Sequence, residues 1–164
     1  MGKKLDIATL EPLTGTLYPD PYDKPCRSRE RKKLGDAAGL TQFGINQVRL
    51  PPGEWSSQRH WHEGSDELVY VLSGELVLVT DAGEETLRAG DAAGFPANDG
   101  NGHHLQNRTA EDAVFLEVGT RLADDVAHYS DIDMIAYASG KPAVYTRKDG
   151  TPYENIRRRG PEED

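Results

Sequence analysis

The sequence predicts an all-β chain, a sandwich or barrel of short strands. Valine-rich apolar runs recur from Thr41 to Val118, with turn signals about every eight to twelve residues. No segment of that region carries a helical period. The turns between runs are marked by glycine, proline and aspartate, which favour reversals for different backbone reasons.

The elements follow in order. Residues 1–40 read as an extended arm, because "YPDPYDKPCRSRERKKLGD" carries three prolines that fix φ and remove backbone donors. The charge run Arg27 to Lys33 inside it reads as a solvated segment. "TQFGINQVRL" is a strand that ends at Pro51-Pro52-Gly53. "ELVYVLSGELVLVT" is two strands around Ser73-Gly74, "ETLRAGD" follows a turn at "DAGEE", and "AVFLEVGTR" is a further strand. Both strands of the Ser73-Gly74 pair are apolar on both parities, so both faces should be covered, by the arm, the tail or a second subunit. Residues 41–122 make the barrel. Residues 123–164 are a tail packing on it, with "DIDMIAY" and "AVYTRKDGTPY" as a late strand pair and "RRRGPEED" as a loose end.

Composition excludes some partners. A net charge of −9 leaves no basic face for nucleic acid or an anionic membrane. The longest apolar run, Leu68 to Leu72, is too short to span a bilayer, and the N-terminus has no apolar signal-peptide core. The one cysteine, Cys26, excludes an intramolecular disulfide framework and suits a reducing, cytoplasmic setting; it reads as a small buried residue.

The histidines carry the chemistry. The chain has five, and four fall in two short clusters, "HWH" at His60 to His62 and "HH" at His103-His104. Side chains alternate along a strand, so His60 and His62 share a face, with Trp61 on the other. Glu67 opens the next apolar run and can return to face the pair. Of His103 and His104 only one can join. His103 shares parity with Leu105 and Asn107, so His103 is the inward one and His104 belongs behind the site or on the surface. Three imidazoles and a carboxylate make a mixed nitrogen–oxygen site for one divalent ion such as Zn, Mn, Fe or Ni.

These residues and their spacing resemble the cupin superfamily. Its first motif is matched by Gly53, His60-Trp61-His62, Glu67 and Gly74, with one extra residue after Gly53. Its second is matched by Gly90, Pro96, Gly100, His103 and Asn107, with two extra residues between Pro96 and Gly100. The resemblance extends to small single-domain cupins labelled sugar-phosphate isomerases. It implies a jelly roll, or double-stranded β-helix. It also implies that His60, His62, Glu67 and His103 bind one metal inside the barrel, with coordination positions left open for a substrate.

Other residues have plainer roles. Gly53, Gly74 and Gly90 serve turns at strand ends, Asp91 closes one, and Asn107 bonds loop backbone. Gln58 shares the parity of His60 and is expected to line the pocket with Glu117, an inward carboxylate on the last barrel strand. A phosphate-bearing substrate would want an inward arginine or lysine. Arg49 and Arg59 lie near the motif, but Arg59 has the parity of Trp61 and faces away. The expected function is isomerisation or epimerisation of a small polar, carbohydrate-like substrate. The alternatives are a metal-dependent dioxygenase and a non-catalytic small-ligand binding module. A homodimer is expected.

Overall fold

A computed structural model describes residues 2–139 and 143–163. Its strands are β1 (Leu13–Thr14), β2 (Glu30–Lys32), β3 (Phe43–Leu50), β4 (His60–His62), β5 (Glu67–Ser73), β6 (Glu75–Thr80), β7 (Gly83–Arg88), β8 (Ala92–Phe95), β9 (His104–Gln106), β10 (Ala113–Thr120), β11 (Val126–Tyr129), β12 (Ile135–Tyr137) and β13 (Val144–Thr146). The α-helix α1 (Leu34–Ala38) ends on Gly39, whose φ of 76° supplies the left-handed cap. Among the described residues no helix is long and apolar enough to cross a membrane.

The strands form antiparallel sheets in the orders β1-β2-β3-β10-β5-β8, β13-β12-β11-β4 and β7-β6-β9, a jelly-roll arrangement. Alternation sets the core. On β5, Val69 and Val71 point inward; on β6, Leu76 and Leu78 do; on β10, Ala113 and Phe115 do. Val48, Leu50, Leu87 and Leu105 complete this cluster. Burying a side chain such as Phe115 or Leu50 stabilises the fold by about 1.5–3 kcal/mol relative to exposing it. A second cluster joins Tyr18 and Cys26 of the arm to Ala127, Tyr129, Met134 and Ala136 of the tail.

Three expectations change. The run Arg27 to Lys33 is solvated only at its end: Lys33 is exposed, but Arg29, just before β2, is 6 % exposed, and Arg29 and Arg31 of β2 both line the cavity. The "RRRGPEED" segment is not loose through Glu163, because Thr16 and Arg159 exchange backbone hydrogen bonds at 3.0 and 2.8 Å. The outer face of β5 is uncovered within one chain. Leu68, Tyr70 and Leu72 are 44, 41 and 40 % exposed, because the arm extends the sheet at its β3 edge instead of lying across this face.

Candidate metal centre

Strand β4 presents the first two histidines. His60 and His62 turn to one side, ring centroids 4.9 Å apart, while Trp61 stacks on His128 on the other at 4.4 Å. Glu67, first residue of β5, brings its carboxylate between them. Its Oε2 lies 3.6 Å from His62 Nε2, 3.8 Å from His60 Nε2 and 2.8 Å from His103 Nε2. Three imidazole nitrogens therefore converge on one carboxylate oxygen. His103 reaches the group through a bridge to His60, with which it exchanges backbone hydrogen bonds at 2.9 and 3.2 Å. Phe95 stacks against the His103 ring.

The outer nitrogens are held by acceptors. His60 Nδ1 is 2.9 Å from the Gln58 carbonyl, and His62 Nδ1 is 2.7 Å from Asp125 Oδ2. A carbonyl and a carboxylate only accept, so both Nδ1 atoms carry the proton and both Nε2 lone pairs face the centre. His103 Nδ1 is buried without a partner, and its Nε2 donates to Glu67 Oε2 at 2.8 Å, a proton that a bound ion would have to displace. Burial drives the His60 pKa down to about 3, which keeps its ring neutral. Burial would raise the Glu67 pKa, but the His103 hydrogen bond and the neighbouring His60 and His62 outweigh it and hold the carboxyl below its usual range. A neutral His60 ring beside an ionised Glu67 carboxylate is the pair of protonation states that binding a divalent cation requires. His60, His62 and Glu67 form a group close enough to hold such an ion; His103 stands outside that group and touches it through Glu67.

His104 lies elsewhere. It is 4 % exposed, so it is buried, not on the surface. Its Nδ1 donates to the Ser57 carbonyl at 2.9 Å and its Nε2 accepts from Gln106 Nε2 at 2.9 Å. Both nitrogens are spent.

The centre opens on a cavity of about 330 Å³. Glu117 lines it, held by Arg31 Nε at 2.5 Å and Asn46 Nδ2 at 2.8 Å. Gln58 does not line it: its Nε2 donates to the Tyr22 carbonyl at 2.7 Å, tying β4 to the arm. Arg59 pairs with Asp81 and Asp131 away from the centre, and Arg49 pairs with Glu30 and Asp112. Asn107, 1 % exposed, donates to the Leu50 and Glu111 carbonyls, a loop role. Sequence reasoning missed Asp125 and the inward pair Arg29 and Arg31. Asp125 lies 63 positions from His62, where no local signal announces it. The arginines were announced by strand alternation inside a run that reads as a solvated charge cluster.

A family model described as "Cupin domain" matches residues 46–119. The chain is 47 % identical to a solved structure from Silicibacter pomeroyi described as a sugar phosphate isomerase from a cupin superfamily, covering 93 % of this chain and 98 % of that one with a TM-score of 0.89. A structure from Acidithiobacillus ferrooxidans, provisionally described as a sugar phosphate isomerase, is 30 % identical over 86 % of each chain with a TM-score of 0.73. Among curated proteins, the chain is 37 % identical over 71 residues to an oxalate-binding protein of Thermotoga maritima; the match takes in 43 % of this chain and spans only 56 % of that relative's length.

Proposed function

The chain belongs to the cupin superfamily, and on that premise we propose that it is a cytoplasmic, metal-dependent enzyme that isomerises or epimerises a small polar, carbohydrate-like substrate. The observation that carries this reading is the convergence of the His60, His62 and His103 Nε2 atoms on the Glu67 carboxylate, at the wall of a cavity that also holds a second carboxylate, Glu117. The four residues would bind one divalent ion. When bound, the ion polarises a carbonyl or hydroxyl oxygen of the substrate.

The remaining work falls to side chains of this chain. Among the described residues Glu117 is the one cavity carboxylate outside the metal-binding set. Arg31 and Asn46 hold it in place. It would take a proton from the carbon next to the substrate carbonyl and return it either to the former carbonyl carbon, as the hydroxyl proton passes to the former carbonyl oxygen, or to the opposite face of the same carbon. Phe95, Val69, Leu105 and Phe115 give part of the cavity wall an apolar surface. The names of the two similar solved structures support isomerisation, and that of the Thermotoga relative supports an anionic ligand.

The test is a panel of aldoses, ketoses and uronates, with and without phosphate, followed by proton exchange from deuterated water. Metal-dependent exchange on at least one sugar, lost in Glu117→Gln with metal content unchanged, is expected. Absence of exchange on every sugar, with metal-dependent oxygen uptake on another substrate, would replace this reading by the dioxygenase. Tight binding without any turnover would replace it by a binding module.

A further inference from the structure

Both ends of the chain send arginines to the cavity that holds the candidate metal centre. Arg29 and Arg31 come from the arm and Arg158 from the tail. The local backbone brings them together. Thr16 and Arg159 form a bridge, and Gly15 beside it has a φ of 83°, where an added Cβ would lie 1.9 Å from the Arg159 carbonyl. Only glycine lets the two ends approach this closely.

The three guanidinium groups differ in what neutralises them. Arg31 pairs with Glu117. Arg29 donates Nη1 to the Ser56 carbonyl and Nη2 to the Gly15 carbonyl, and its buried Nε has no partner among the described residues. Arg158 donates Nη1 to the same Gly15 carbonyl at 3.1 Å. Among the described residues neither Arg29 nor Arg158 forms an ion pair with a carboxylate; the one charge partner on this wall is taken by Arg31. Burial, and then repulsion from Arg29 and Arg31, push the Arg158 pKa below its usual value. Among the described residues Arg29 and Arg158 meet neutral carbonyls, Ser56 and Gly15 for the first and Gly15 and Thr14 for the second, and two cations without a counter-charge in a chain of net charge −9 are a surplus that the fold maintains at a cost. A purely structural clasp would account for the Nη contacts of Arg29. It leaves its Nε and the charge of Arg158 without a purpose.

We propose that Arg29 and Arg158, beside the Arg31–Glu117 pair, form the subsite that holds the phosphate group of a phosphorylated substrate while the rest of that substrate reaches the metal centre. This rests on the reading of the cavity as a substrate site. Charge selects the ligand. A phosphomonoester carries about −1.5 to −2 near neutral pH, which matches two guanidinium groups, whereas one carboxylate leaves one of them unneutralised. The planar arginine fork also suits phosphate oxygens. The three arginines lie outside residues 46–119, the segment shared with the general cupin model, so the subsite is an addition that arm and tail make to the common barrel.

The experiment is calorimetric titration of the metal-loaded full chain with inorganic phosphate, and separately with acetate and oxalate. Arg158 is the residue to change, because Arg29 also clasps backbone. Wild type is expected to bind phosphate in preference to either carboxylate. Arg158→Gln should weaken phosphate binding by about tenfold or more, with metal content and melting temperature retained, and Arg158→Lys should restore part of the loss. Equal phosphate binding by wild type and Arg158→Gln, no phosphate binding at all, or preference for a carboxylate would overturn the proposal. The two readings fail separately. Turnover of an unphosphorylated sugar without phosphate binding removes the subsite and leaves the isomerase. Arginine-dependent phosphate binding without proton exchange on any sugar does the reverse.

Discussion

His103 and His104 are adjacent in sequence and opposite in fate, and the difference lies in what surrounds each ring. His104 has both nitrogens bonded, to Ser57 and Gln106, so its removal should leave the centre intact. His103 points its Nε2 at Glu67. Asp125 stands one step behind, fixing the His62 ring through Nδ1. Competition with a chelator should therefore give an order. His62→Ala and His103→Ala lose the ion, Asp125→Ala binds it about 10–100-fold more weakly, and His104→Ala stays near wild type. Ion retention in His103→Ala together with loss in His104→Ala would reverse the assignment. Parity is the sequence signal that separates the two histidines, since Leu105 and Asn107 share the parity of His103, and the chelator series is its test. Asp125 was not legible, because its role depends on β11 pairing with β4, a contact between distant segments that neither segment's own pattern encodes.

At the scale of elements, the alternating barrel strands were readable, and the ends of the chain were not. β5, β6 and β10 announce themselves by valine-rich runs with a glycine between the first two. The arm and tail gain their structure from one another through the Thr16–Arg159 bridge and the second core, and so have little local signature. Turn glycines sort by their neighbours. Gly74 joins β5 to β6 with a φ of 79°, and a Cβ there would lie 2.8 Å from both the Ala113 Cα and the Asp112 carbonyl oxygen. Gly90 has a φ of 94° and open space around it. Left-handed backbone alone costs an L-residue about 1–2 kcal/mol. Gly90→Ala should lose about that much. Gly74→Ala adds a clash against backbone that cannot move aside cheaply, for a total of about 2–4 kcal/mol. Denaturant midpoints would show the ranking, and equal losses at the two positions would mean that the β5–β6 turn relaxes away from Ala113.

For the whole molecule, the open question is what covers the outer face of the large sheet. Leu68, Tyr70 and Leu72 stand on the outside of β5, a strand flanked by β10 and β8 and therefore not an edge. Ladder registry sets Leu68 beside Val118 and Ile45, and Tyr70 beside Leu116 and Gln47, so the stripe widens into a patch without a charged side chain at these positions. A chain of net charge −9 repels its own copies everywhere else, which makes an uncharged apolar face the natural place for two copies to meet. The geometry favours face-to-face pairing about a two-fold axis, because the backbone groups of β5 are already bonded on both sides. A stable pair would need about 800 Å² from each partner, so neighbouring residues on β3 and β10 must join the stripe. The expectation is a particle of twice 18.1 kDa by light scattering at micromolar concentration. The double variant Leu68→Asp, Tyr70→Asp should fall to a single chain and keep its metal content, because both side chains point away from the His–Glu centre. A wild-type mass of 18.1 kDa under the same conditions would show that this face is tolerated bare.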